Sequence, residues 1–314
     1  MDGTDTVARD ARVTRLGPGF RWPGGRHVAV VFNVAFEAWS DATAPGLAPM
    51  GTPLPAGAFD SNALSWGHYG AVRGIDRLLR TLDRVKLRGS AMVSGILAER
   101  APQAVKAIAT AGHEVVAHGF AQNLVPATLA PEQVQADIAT TTQALEQACG
   151  AKPRGWISPR ATPDHDSARA LADAGYDWHG DALDDDRPYI QAFGDRRIIA
   201  IPLTMEINDL PHAMRFGRSP RQFIESFDEL LSHVLAGETD ALLIDVTAHA
   251  HVYGRPSGAW AYEAIARKVM WRDDIWIAMR GDIADHVAAY VGADVGVDVD
   301  VGVDVGVDDL KPVE

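Results

Sequence analysis

Cysteine is nearly absent. The 314-residue chain has one, Cys149, which excludes an internal disulfide and any multi-cysteine zinc or iron–sulfur centre. Long apolar runs are missing too: none approaches the roughly 20 residues that a membrane-spanning helix requires. The first 26 residues carry Asp2, Asp5, Arg9, Asp10 and Arg12 and no hydrophobic leader stretch. The expectation is a cytoplasmic protein with no membrane partner. Positive charge is the third shortage. Against 42 Asp and Glu stand 29 Lys and Arg, a net charge of −13. That balance disfavours a nucleic-acid partner, because phosphate backbones are bound by clustered Lys and Arg. No Gly-x-Gly-x-x-Gly turn or phosphate loop supports nucleotide binding either. Small-molecule substrates fit better.

What is present describes one or two compact domains: 47% hydrophobic and 23% charged residues. The ends differ from the middle. Residues 1–20 read as a flexible, polar, Gly/Pro-punctuated lead-in. Residues 291–314 contain the repeat VGADVGVDVDVGVDVGVDD and carry −6 of the net charge, leaving −7 for the remainder. Glycine and like charges weaken any strand there, so a disordered acidic tail is expected.

Between them, residues 21–290 alternate strand-like runs with helix-like segments. The runs are HVAVVFNV, GSAMVS, HEVVAH, GWIS, YDWH, RIIAIPL, ALLIDVT and DIWIAM. Helical starts are marked by Pro102, Pro131, Asp164 and Ser219–Pro220, and stops by Gly112, Gly150, Gly175 and Gly237. Strands separated by helices imply a parallel sheet. So many units in one stretch point to an α/β fold, a distorted (β/α) barrel with seven or eight parallel strands.

Barrel chemistry sits at the carboxyl ends of strands. The polar residues at those exits are Asn33 and Glu37, His118, Arg160, Asp181 and Asp184–Asp186, Glu206, Asn208 and Asp209, then His249 and His251. Strand periodicity puts Asn33, Ala35 and Glu37 on one face, and His249 with His251 on one face. It separates His113 from His118, so these two are not a chelating pair. An imidazole at the mouth suits proton transfer to a leaving nitrogen, and Asp245 either orients one of the pair or caps its strand. Trp39 and Trp66 are the aromatic candidates for the pocket wall.

The stretches RWPGGRHVAVVFNVAFE, SWGHYGAVRGIDRLL, GHEVVAHGF, ISPRATPDHDSARALADAGYDW, DALDDDRPY, IPLTMEINDL and AHVYGRP, in this order, resemble the polysaccharide-deacetylase superfamily across most of residues 22–290. The resemblance implies a distorted barrel and hydrolysis of C–N bonds other than peptide bonds. The WGHYG-containing segment and the EIND segment look most like the branch of allantoinases and cyclic-imide hydrolases.

The metal-dependent members carry two aspartates where this chain has Asn33 and Ala35, and a second histidine where it has Gln122. The resemblance therefore implies catalysis by Glu37, His118 and His249 without the usual metal. Glu37 or His118 would act as base and His249 as the acid that protonates the departing nitrogen. Arg160, Asp209, Trp66, Tyr69 and Arg73 would contact substrate, and Arg160 or backbone N–H groups would stabilise the oxyanion. Tyr69 and Arg73 alternatively face a neighbouring subunit, since relatives form homo-oligomers. A small cyclic imide or ureide is the expected substrate, because strained rings need less electrophilic help than an acetamide. Two alternatives stay open. One is a metal-dependent N-acetyl sugar deacetylase whose zinc is held by a rebuilt set of Glu37, His118, His249 and His251, with His212 nearby. The other is a non-catalytic ligand-binding relative.

Overall fold

The computed structural model describes residues 10–49, 54–55 and 58–293. Its strands are β1 (Arg12–Arg15), β2 (Val28–Phe36), β3 (Ser90–Val93), β4 (Glu114–Ala117) and β5 (Gly155–Trp156), then β6 (Trp178–His179), β7 (Tyr189–Phe193), β8 (Arg196–Ala200), β9 (Leu242–His249) and β10 (Ile275–Ala278). All eight runs expected to be strands are strands. These eight run parallel, while β7 is antiparallel to β8 and β1 antiparallel to β7.

The centre is β2. One edge pairs with β9 over Val28–Ala35; the other is shared, β10 taking Val28–Val31 and β3 taking Asn33–Phe36. From β3 the sheet continues through β4, β5, β6 and β8. Beyond β8 the chain returns to β9, where Asn208 makes an isolated parallel bridge with Thr247. The ends of the sheet thus meet in a distorted (β/α) barrel.

Alternation along each strand sorts side chains between two cores. Val28, Val30, Phe32, Val34 and Phe36 join the layer under the helices, with Ile244, Val246 and Ala248 from β9. Ala29, Val31 and Ala35 face the barrel interior, with Leu243, Met92, Val116 and Ile157. Both faces are covered, so β2 is buried throughout and reads as a nearly continuous apolar run. The inward set of β2 ends in Asn33, Ala35 and then Glu37; that of β9 runs Leu243, Asp245, Thr247, His249.

Helices start at Pro102, Pro131 and Pro220, the last capped by Ser219. Near Asp164 the helix begins at Ser167. Gly112, Gly150 and Gly175 have positive φ after helix ends, as expected, whereas Gly237 is the last residue of its helix.

Two expectations about the chain ends change. The lead-in set at residues 1–20 is ordered in its second half: Arg12–Arg15 pairs with β7, and Leu16 and Phe20 are buried. The tail set at residues 291–314 begins within a helix spanning Arg280–Ala293, and residues 294–314 lie outside the described ones. No helix among the described residues is long and apolar enough to cross a membrane.

Candidate active site

Glu37, His118 and His249 lie at or one residue beyond the carboxyl ends of β2, β4 and β9, and His251 follows two residues after His249. All four are buried and line one cavity of about 680 Å³. Glu37 is its centre. Its carboxylate is 3.2 Å from His118 Nε2, 3.6 Å from His249 Nε2 and 3.7 Å from His251 Nδ1.

Each imidazole is held from behind. His118 Nδ1 lies 2.7 Å from the Ile157 carbonyl, which can only accept, so that nitrogen carries hydrogen and Nε2 faces the cavity. The turn after His118 needs Gly119, whose φ is +65° and whose missing Cβ would collide with Pro159 Cγ at 2.6 Å. His249 Nδ1 donates to Asp209 Oδ1 at 2.6 Å, while Asp209 Oδ2 accepts the backbone N–H groups of His249 (2.8 Å) and Tyr253 (3.0 Å). His251 packs edge-on against Trp66 and Trp39, with ring centroids at 4.6 and 5.4 Å. Backbone meets backbone beneath it: a Cβ on Gly74 or Gly254 would run into the Ala250 carbonyl oxygen.

These contacts set the charges. Burial opposes charge on Glu37, but His249, His118 and His251 outweigh it and hold its pKa down at about 2. For His249, burial works against the imidazolium, yet the Asp209 and Glu37 carboxylates together raise the pKa to about 9. Burial dominates at His251 and lowers it to about 4, assisted by the positive His249 and Arg255. Asp209 is pushed up by complete burial and held against that by its three donors. At neutral pH the site thus presents a carboxylate, an imidazolium and a neutral imidazole in contact.

The other sequence candidates divide. Arg160 lines the cavity from a left-handed backbone (φ 61°) after β5, and Trp39 lines it too. Asp209 does not contact the cavity; it stands behind His249, fully buried, so the substrate contact expected of it is replaced by orientation of the imidazole. Trp66, Tyr69 and Arg73 are likewise not in the cavity wall. Trp66 backs His251. Tyr69 accepts from Arg77 through its hydroxyl at 2.6 Å beneath the Arg255 guanidinium, and Arg73 is exposed on the π-helical turn Gly70–Gly74. Asp184 and Asp185 pair with Arg15, and Glu206 is exposed.

Asp245 neither orients a histidine nor caps the strand. It lies inside the barrel, bonded to Arg280, Asn33 and Thr247. The Arg280 guanidinium also reaches Asn33 Oδ1 (3.2 Å) and the Ile201 carbonyl (3.1 Å). Arg280, two residues past β10, and the cavity-lining Arg215 are missed by the sequence reading, since neither belongs to a recognisable motif.

The sequence model of the Polysaccharide deacetylase family matches residues 59–179. A crystal structure from Mycobacterium smegmatis with a provisional polysaccharide deacetylase name superposes with a TM-score of 0.77 at 28% identity, covering 89% of this chain and 96% of that one. The crystal structure of PuuE allantoinase superposes with a TM-score of 0.79 at 22% identity, covering 92% and 98%. A peptidoglycan deacetylase of Helicobacter pylori is 23% identical over 289 residues, 80% of this chain and 94% of its own. Over residues 59–179 the chain matches the polysaccharide deacetylase family model, and over most of its length it is similar in sequence and fold to proteins carrying deacetylase or allantoinase names.

The metal of the metal-dependent members does not fit these residues. Among the described residues no three His, Cys, Asp or Glu side chains are arranged to hold a metal ion. At the first aspartate position, the Asn33 amide is committed to Asp245 and to Thr247 Oγ1 (3.2 Å). At the second histidine position, Gln122 Nε2 donates to Ser94 Oγ (3.1 Å) and the His118 carbonyl (2.9 Å). Glu37, His118, His249 and His251 do come together, but as a carboxylate ringed by imidazoles. His212 is outside the cavity, buried against Phe223.

Proposed function

We propose that this protein opens a small cyclic imide or ureide by hydrolysing a ring C–N bond, with His249 as general acid and His118 as general base. One observation carries the reading: His249 stands between Asp209 at Nδ1 and Glu37 at Nε2, and His118 Nε2 meets the same Glu37 oxygen. The allantoinase fold neighbour agrees with this chemistry.

The protonated His249 directs Nε2–H towards the cavity and is a proton donor at neutral pH. Glu37, held near pKa 2, is a weak base. The base is therefore His118, whose Nδ1–H is anchored to Ile157 and whose Nε2 faces the cavity beside Glu37 Oε1, where the carboxylate would hold the ring once it has taken the proton. His118 takes a proton from water as the oxygen bonds to the ring carbonyl carbon. The tetrahedral intermediate then collapses, the C–N electron pair returns to nitrogen, and His249 protonates it. One imidazole gains the proton that the other loses, so the site's charge is conserved. Glu37 contacts both rings and stabilises whichever is the cation. Arg160 supplies positive charge for the oxyanion.

The test is ring opening of hydantoin, dihydrouracil, succinimide and allantoin by wild-type and His249→Ala protein, with and without chelator. Turnover that survives the chelator and falls about 10²–10⁴-fold in the variant is expected. Wild-type rates in H249A would refute the assignment. Turnover abolished by chelator and restored by a divalent ion would refute the metal-free reading.

A further inference from the structure

The chemistry just described uses four charged or titrating groups of the cavity: Glu37, His118, His249 and Arg160. Two more line the same cavity: His251, which burial keeps neutral, and Arg215, which has no part in hydrolysing a neutral ring. It is exposed at the rim, in the π-helical turn Leu210–Arg215, and forms no ion pair among the described residues. Its surroundings are unusual for this chain. Residues 210–222 contain Arg215, Arg218 and Arg221 and no acid, within a protein of net charge −13. Arg218 is turned aside, its guanidinium 5.6 Å from the Phe216 ring centre, which leaves Arg215 as the member facing the cavity.

We infer that the substrate carries a fixed carboxylate outside the scissile ring, and that Arg215 selects it. The inference rests on the hydrolytic reading of the site. Glu37 is the one acid among the described residues lining the cavity; Asp209, behind His249, shares the imidazolium with it, so these three groups sum to one negative charge. Arg160 and Arg215 outweigh it and leave the mouth net positive. A mouth of that sign draws in an anion that the acidic body repels. A guanidinium is the planar fork that matches a carboxylate in two parallel hydrogen bonds. The cavity, about 680 Å³, has the size of sites for ligands much larger than a bare five-membered ring.

The test compares kcat/KM for hydantoin-5-acetic acid with that for hydantoin. The wild type should favour the carboxylated ring by about two- to fivefold, as one exposed charge pair gives. That ratio should fall towards one in Arg215→Ala, recover in part in Arg215→Lys, and shrink as salt is raised. A wild-type ratio of one or less, or an unchanged ratio in R215A, overturns the inference while leaving the hydrolytic reading intact. If neither ring is opened, calorimetric binding of the same two compounds decides. An Arg215-dependent preference for hydantoin-5-acetic acid upholds the carboxylate site and sinks the hydrolysis; its absence overturns the carboxylate site.

Discussion

Asp209→Asn isolates the contact that keeps His249 protonated, on which its proposed role as the acid depends. Wild-type His249 is raised from its ordinary 6.5 to about 9, against the opposing effect of burial. That corresponds to about 3 kcal/mol of preference for the charged ring. Asp209, at 2.6 Å from Nδ1, contributes more of it than Glu37 at 3.6 Å from Nε2. Losing the Asp209 charge should remove about 2 kcal/mol and lower the His249 pKa by more than one pH unit. The amide also turns a donor towards Nδ1 if its oxygen keeps the N–H groups of His249 and Tyr253, so the ring is pushed into the neutral Nδ1-acceptor form. The expected outcome is a kcat lower by about 10²–10⁴-fold, with the alkaline limb of the pH–rate profile displaced to lower pH. Imidazole ¹⁵N NMR gives a readout independent of substrate: His249 should remain protonated at pH 8 in the wild type and be neutral there in D209N. An unchanged His249 titration in D209N, or a wild-type ring already neutral at pH 7.5, would show the reasoning to be wrong. The same raised pKa has a stability consequence. Its contribution is complete below pH 6.5 and disappears as pH rises through 9, so unfolding free energy should decline over that window in the wild type and much less in H249A.

Three further outcomes follow from buried contacts. Asp137 has one oxygen accepting from Phe120 N at 3.0 Å and the other unpartnered, and burial raises its pKa to about 6. Its charge therefore costs stability above pH 6 and ceases to do so towards pH 4. Asp137→Asn should stabilise by about 2 kcal/mol at pH 8 and hardly at pH 4 in urea denaturation, and an equal effect at both would contradict the assignment. Arg280→Leu strands the buried Asp245 and should cost about 3–5 kcal/mol, with Arg280→Leu/Asp245→Leu recovering much of the loss; a harmless single variant would mean the pair is not buried as described. Gly74→Ala drives a Cβ into the Ala250 carbonyl and should cost about 2 kcal/mol or more. Its kcat should fall too, because Ala250 joins His249 to His251; a wild-type melting temperature would refute the close approach.

Strand periodicity carried most of the site. Because β2 and β9 alternate strictly, Asn33, Ala35 and Glu37 fall on the inward face, as do Thr247 and His249, and the sequence is enough to see it. Two short strands were not legible: RVTR is polar and YIQAF is interrupted by Gln191, so β1 and β7 emerge from their mutual pairing. The role of Asp209 was hidden for a different reason. It lies 40 positions before His249 and reaches it because the chain after β8 crosses the end of β9, a tertiary event that no local pattern encodes. Arg280 was silent for the same cause, its partner Asp245 being set by barrel closure. Trp66, Tyr69 and Arg73 sit in a matching segment, yet they support the floor beneath His251 or face outward. The motif there marks the surroundings of His251 rather than the cavity wall.

The floor of the site also constrains how the protein can diversify. Gly74, Ala250 and Gly254 meet main chain to main chain, leaving no side chain to enlarge, shrink or re-aim under the two histidines. Any lineage or directed-evolution campaign that alters what this chain accepts must therefore work at the walls and rim, at side chains such as Met92, Leu203, Arg160 and Arg215. The spacing of His249 and His251 is tied to the backbone beneath them, while the surface that meets a ligand is left to side chains.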